Sequence, residues 1–248
     1  MNTLALPTQK DEAWRYSDMA ALGVLGALPA PEHIIVPAGG MLTRHLIQNA
    51  ADDAVAVHDY TISIGAGARC MFHVLNIGGT FGRVELNVTL HDGAHFELGA
   101  VQIGGEHQTL EIVTTVTHAE PNATSNQVVR SVLSGHATGS YLGKVAVARD
   151  AQKTDAAQSV KAMLLSRTAT ANAKPELEIF ADDVKCAHGA TVGELDKQAL
   201  FYLESRGLPP SEAQALLLGA FIAEVFQDAE AREELQDAAR AALGRLSA

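Results

Sequence analysis

Cysteine is rare in this chain of 248 residues: only Cys70 and Cys186 occur, far apart. They need no disulfide to explain them, and a reducing compartment is the simplest reading. A self-contained four-cysteine cluster site is excluded. Aromatic residues are also scarce, at 5%, although 47% of the chain is apolar. Such a core is built from many small contacts rather than a few bulky anchors. Positive charge is in short supply, with 18 Lys and Arg against 29 Asp and Glu. A net charge of −11 argues against a general nucleic-acid binder, which needs a basic face to displace counterions. No stretch approaches the roughly 20 apolar residues of a membrane-spanning helix. Residues 1–30 hold Lys10, Asp11, Glu12, Arg15 and Asp18 and no long apolar run, so no secretory signal is read there. The expectation is a cytoplasmic protein that binds neither membrane nor nucleic acid.

Nucleotide and nucleophile motifs are missing too. Gly139–Ser140–Tyr141–Leu142–Gly143–Lys144 resembles a phosphate loop only superficially. Walker A needs four residues between its glycines and Ser or Thr after the Lys. Three intervene here, and Val145 follows. No Gly-x-Ser-x-Gly elbow occurs.

What is present divides into three segments. Residues 1–31 read as a short helix, with Trp14, Met19, Leu22 and Leu25 at near-helical spacing, stopped by Leu28–Pro29–Ala30–Pro31. Residues 32–186 read as a β core of short runs, from His33–Val36 to Leu177–Phe180, punctuated by Gly, Asp and Asn. In one run Val84, Leu86, Val88 and Leu90 fall on one face and Glu85, Asn87 and Thr89 on the other. Gly67–Ala68–Arg69–Cys70–Met71–Phe72 and Gly93–Ala94–His95–Phe96–Glu97–Leu98 have similar character. Such a repeat is what stacked β-solenoid coils produce. A sandwich or barrel gives the same strand density, and periodicity leaves that choice open. Residues 187–248 read as helical. Thr191–Val192–Gly193–Glu194 and Ser211–Glu212–Ala213–Gln214 both fit a capping box. Leu200 and Leu203 lie on one helix face; Leu217, Phe221 and Val225 belong to a second helix that is apolar around much of its circumference. Packing on the β core is the default for such faces, and a partner groove is the alternative.

Two sets of residues point to chemistry. Cys186 and His188 are good ligands for iron or zinc, and a Cys can carry sulfur. Two ligands cannot close a tetrahedral site, so any site here borrows ligands from elsewhere. The competing reading is a buried Cys beside a structural His. His91, His95 and Glu97 form a loose cupin-like set that would suit a metal-dependent enzyme. Surface histidines are the bland reading, because cupins separate their paired His by one residue and three intervene here.

The stretch Val184–Lys185–Cys186–Ala187–His188–Gly189–Ala190–Thr191–Val192–Gly193–Glu194–Leu195–Asp196, continuing into Leu200–Phe201–Tyr202–Leu203–Glu204–Ser205–Arg206–Gly207, resembles the SufB/SufD family of iron–sulfur cluster assembly proteins, on the SufD side. Pro175–Glu176–Leu177–Glu178–Ile179 and the stretch from Leu6 to Tyr16 resemble the same family. The resemblance implies a mainly β fold: a right-handed parallel β-helix core between a short N-terminal helix and a C-terminal helical subdomain. It implies a non-enzymatic scaffold subunit. A SufB paralogue would pair with its last core strands. The ABC-type ATPase SufC would bind its C-terminal helices, where Leu200, Leu203, Leu217, Phe221 and Val225 are the candidates. An open β-helix edge would permit a homodimer without SufB. No cofactor would be held stably; a nascent Fe–S cluster would be shared with SufB through His188, with Cys186 beside it. SufB-type chains carry Glu-His-Glu where this chain has Ala187–His188–Gly189, which implies the helper rather than the main scaffold. Relative to typical SufD chains, the β core is expected to be short and the sequence begins close to Trp14.

Overall fold

The structure, a computed structural model, describes residues 6–8 and 10–246. Gln9 of the N-terminal stretch lies outside them. Glu12–Trp14, α1 (Met19–Leu22) and Gly23–Leu25 are short helical turns. The strands β1 (Glu32–Val36), β2 (Met41–Gln48), β3 (Val55–Ile64), β4 (Arg69–Asn76), β5 (Phe81–Leu90) and β6 (His95–Gly104) follow. Next come β7 (Thr109–His118), β8 (Thr124–Leu133), β9 (Thr138–Val147), β10 (Asp155–Leu164), β11 (Thr170–Ile179) and β12 (Lys185–Glu194). The chain then runs through α2 (Lys197–Ser205), α3 (Pro210–Ala223), the 3₁₀ turn Glu224–Phe226 and α4 (Arg232–Leu246).

Odd strands form one six-stranded sheet, β1-β3-β5-β7-β9-β11, and even strands another, β12-β10-β8-β6-β4-β2. The pairings are parallel throughout, such as β5 with β7 and β6 with β8. The chain thus winds as a two-sheet solenoid, and the fold class expected from the resemblance holds. Val55 pairs with Phe81, 26 residues on, and Thr138 with Thr170, 32 on. Stacking places like on like: Ile62, Val88, Val116 and Val145 form one buried column, and Val74, Ala100, Val129 and Val160 face it from the even sheet.

The two similar hexapeptides are neighbours in this stack, with Arg69 opposite His95 and Phe72 opposite Leu98. Gly67 and Gly93 occupy the left-handed region at φ 64° and 63°, where a side chain is costly. Asn122 and Lys153 take the same place in later coils, at 63° and 65°. The residue that follows is small and buried at Ala68, Ala94 and Ala123. The repeat is therefore a turn geometry, and its sequence signal fades where Gly is replaced.

Both sheets are covered outside. Leu75, Val101, Ile103 and Val132 of the even sheet pack under Leu218, Ile222, Phe226, Leu235 and Leu243. Buried Arg130 ties this layer down through Nε, which donates to Glu224 Oε1 at 3.0 Å. On the odd sheet, the N-terminal turns seat Trp14 and Leu22 against Phe81. The fully buried Arg83 guanidinium lies 3.7 Å from the Trp14 ring centre. It pairs with Glu111 at 2.6 Å and Glu85 at 2.7 Å and donates to the Ala13 carbonyl. A buried cation is tolerable because every face of it has a partner.

The helical segment begins ten residues later than the sequence reading placed it. Thr191–Glu194 is part of β12, which pairs with β10 from Lys185 to Glu194. A capping box is a local preference; ten residues of ladder against a ready sheet edge outweigh it. Asp196 caps α2 instead, accepting from the amides of Gln198 and Ala199 at 2.8 and 3.2 Å. Ser211 makes no cap either: α3 starts at Pro210, a residue suited to a first helical turn.

Candidate functional site

The two ends of the solenoid differ. At the first coil, Arg44 stands in the column that continues through Phe72, Leu98, Gln127 and Gln158 to His188. Its guanidinium makes a two-pronged bond to Glu32, at 2.6 and 3.0 Å, and lies 5.1 Å from the Tyr60 ring centre. Inward charge of this kind blocks edge pairing. At the last coil β11 has only β9 as a neighbour and β12 only β10. Their outer backbone groups form open parallel edges, as do those of β1 and β2 at the first coil, and the last coil carries Cys186 and His188 where the first carries Arg44 and Glu32.

Cys186 and His188 sit on that open end. They are two apart on β12, hence on one face and about 7 Å apart along the strand. Register aligns Cys186 with Ala156 and His188 with Gln158, both buried, so the face is the interior one. Cys186 is half-buried beside Ala156, Val184 and Ala181. Burial pushes its thiol up, and the nearby Asp155 carboxylate adds to this, against a hydrogen bond from the Ala156 backbone. The thiol is held protonated at neutral pH, so a cation or metal must arrive before it becomes a good ligand. His188 is exposed. Cys70, the other cysteine, is sealed in the core and its thiol is pushed up to about 12 by burial.

Beneath His188 the interior turns polar. The Tyr141 hydroxyl donates to Gln127 Oε1 at 3.2 Å and accepts from Gln158 Nε2 at 3.1 Å. Thr114 also donates to Gln127 Oε1, at 2.7 Å. Gly143 makes room for the phenol: a Cβ there would stand 2.1 Å from the Tyr141 hydroxyl oxygen. These residues escaped the sequence reading. The available signal was a Gln at an inward position of an otherwise small and apolar row, Ala156, Gln158, Val160, Ala162.

The cupin-like set does not assemble. His91 Nδ1 lies 3.0 Å from Glu120, His95 Nδ1 2.7 Å from Thr124 Oγ1, and Glu97 accepts from Asn126 at 2.7 Å. His95 and Glu97 approach only to 3.6 Å. Among the described residues no three His, Cys, Asp or Glu converge as a metal site. The parallel solenoid also lacks the antiparallel barrel that a cupin needs, so the chain is not a cupin.

The helical candidates separate into two groups. Val225 is buried against the even sheet, and Phe221 is half-buried on the same layer, 5.9 Å from the Arg130 guanidinium. Leu200, Leu203 and Leu217 are half-buried. α2 buries no residue and has α3 as its main neighbour. Phe201, Tyr202 and Leu216 are the large apolar side chains left exposed on this helical pair. No helix among the described residues is long and apolar enough to cross a membrane.

A parallel two-sheet solenoid with an open, Cys–His-bearing last coil and an appended helical hairpin has a counterpart among known families. Residues 30–221 match the family described as SUF system FeS cluster assembly, SufBD core domain, and the chain belongs to that family. Its relatives place it on the SufD side. It is 29% identical over 197 residues to the iron–sulfur cluster assembly protein SufD of Escherichia coli, covering 79% of this chain and 44% of that one. It is 35% identical over 183 residues to an iron–sulfur cluster assembly SufBD family protein of Synechocystis, covering 73% and 40%. SufD of Bacillus subtilis is 30% identical over 155 residues, covering 62% and 35%. The matched part thus spans less than half the length of these relatives.

Proposed function

We propose that this chain is a non-enzymatic accessory subunit of the SUF machinery, acting in the cytoplasm within a SufB–SufC–SufD assembly. The observation that carries the reading is the asymmetry of the solenoid. Both ends have unpaired strand edges, but the first coil carries the inward Arg44–Glu32 pair, whereas the last presents His188 and Cys186 on its interior face. A SufB-type solenoid would continue the stack at that end through β11 and β12. Iron or sulfide, as cargo, would be held between His188 and ligands of SufB, because this chain offers too few of its own. Without SufB, the same edges would pair with a second copy of this chain. The exposed apolar residues of α2 and α3 would receive SufC, which supplies the nucleotide site this chain lacks. The Val225 carbonyl and side chain rest on β6, so movement of the helical pair would be felt by the sheet.

The test is cluster formation by the co-expressed three-protein complex carrying His188→Ala. The complex is expected to assemble with normal stoichiometry while cluster yield falls severalfold. A normal yield would remove His188 as a ligand and leave a structural adaptor for SufC.

A further inference from the structure

The polar group inside the last coils leaves two buried amide atoms without a partner, Gln127 Nε2 and Gln158 Oε1. Gln158 is buried, and its Nε2 is committed to the Tyr141 hydroxyl. That hydroxyl is anchored on Gln127 of the preceding coil. Gln158 Oε1 is out of reach of water and has no partner. Buried amide oxygens in native proteins are nearly always satisfied; Gln127 Nε2, in register on the coil below, is a second buried amide atom without a partner, and the coil above offers the other donor. The inward positions of β12 begin with Cys186, His188 and Ala190, in register with Ala156, Gln158 and Val160. Of these, His188 stands directly over Gln158, at the interstrand distance of about 4.8 Å. In the even column, Gln158 is also the last side chain before it.

We propose that Gln158 is a positioning residue for His188, its Oε1 accepting the hydrogen of one imidazole nitrogen. The Tyr141 hydroxyl holds the Nε2 end of the amide, which leaves Oε1 at the other end, and Gly143 leaves the room in which that hydroxyl lies. With one ring nitrogen occupied by Gln158, the lone pair of the other is directed outward, at the open end. A neutral imidazole has one donor and one acceptor nitrogen, and the partner of the donor decides which is which. Only the use of that outward lone pair, for iron or a cluster, rests on the proposed function.

The experiment reads the His188 tautomer directly. Full-length chain with ¹⁵N-labelled histidine is examined by long-range ¹H–¹⁵N spectra, well above the ordinary imidazole pKa of about 6.5. The native chain is expected to show one dominant tautomer at His188. Gln158→Met should even out the two forms, and Gln158→Glu, which keeps an acceptor oxygen, should restore the bias. Unchanged tautomer populations in a folded Gln158→Met chain would overturn the proposal. If that variant does not fold, Tyr141→Phe removes the anchor alone and should broaden or mix the His188 signals; sharp native signals would overturn it equally. Cluster yield from His188→Ala is a separate axis. A tautomer change with normal yield keeps the positioning and sinks the ligand role; reduced yield with an unmoved tautomer does the reverse.

Discussion

The carbonyl oxygen of Val225 lies 2.5 Å from where a Cβ on Gly99 would stand. The helical subdomain therefore rests on β6 through a missing side chain. His73, on β4 beside Gly99, would also be touched, with its ring carbon 2.8 Å from that position. Backbone cannot yield as a flexible side chain can. Gly99→Ala is expected to cost about 1–3 kcal/mol and to loosen the helical layer first. Hydrogen exchange should rise in Glu224–Phe226 and α4 while β5 and β7, on the other sheet, stay protected. Uniform exchange across the chain would contradict that close seat.

Gly143 and Tyr141 have the same relationship inside the solenoid. Gly143→Ala would drive the phenol off Gln127 and Gln158, stranding Gln158 and the Tyr141 hydroxyl while Gln127 keeps its bond from Thr114. The expected loss is about 2–4 kcal/mol, from overpacking plus an unsatisfied group. Combining it with Tyr141→Phe tests the cause. The second change should recover little if the clash is with the ring, and more if the lost hydrogen bonds dominate. Denaturant titration of the two single variants and the double variant decides between them.

Stability should fall in acid through His118. It is fully buried, in register between Leu90 and Val147, with Nε2 2.9 Å from Ser125 Oγ. Burial pushes its pKa down to about 4. A depressed folded pKa means that the contribution is complete above the unfolded value of about 6.5. It is lost as pH falls from there through about 4. Its full size is on the order of 3 kcal/mol. His73 and His58 are shifted the same way by burial and add to the trend. Urea midpoints of native chain and His118→Gln should converge between pH 6.5 and 4 if the imidazole is the source. Parallel curves would assign the acid loss elsewhere.

The proposed SufC surface can be separated from internal packing. Phe201 is 71% exposed, so Phe201→Asp should leave the melting temperature within a degree or two and weaken SufC capture at least about tenfold, near 1.4 kcal/mol. Leu216→Asp should act alike. Phe221→Asp should instead lower stability, because its ring lies on the buried layer against Arg130. Undiminished capture by both exposed-site variants would remove this face as the docking surface.

Much of the fold was legible in the chain itself. Strand density and the alternation in β5 are local consequences of side-chain order, whereas the single N-terminal helix expected from spacing is broken into α1 and two short turns. The pairing of Gly67–Phe72 with Gly93–Leu98 was visible because Gly is needed at a left-handed turn. β2 and β12 escaped notice. Met41–Gln48 and Lys185–Glu194 carry little apolar alternation and are strands because a neighbouring coil offers its edge. The helix boundary was misread for the same reason.

The site divides in the same way. The sequence by itself determined that Cys186 and His188 lie close together, that they are too few to close a metal site, and that no nucleotide loop accompanies them. Only the tertiary structure decided that both face the interior at an open end, and that His188 stands over Gln158. It alone dispersed His91, His95 and Glu97 into local bonds and turned Val225 inward while leaving Phe201 outside. The reason is the parallel coil. Neighbours in the stack lie 26 to 32 residues apart in sequence, so what a side chain touches is set by register between coils and not by the residues beside it in the chain.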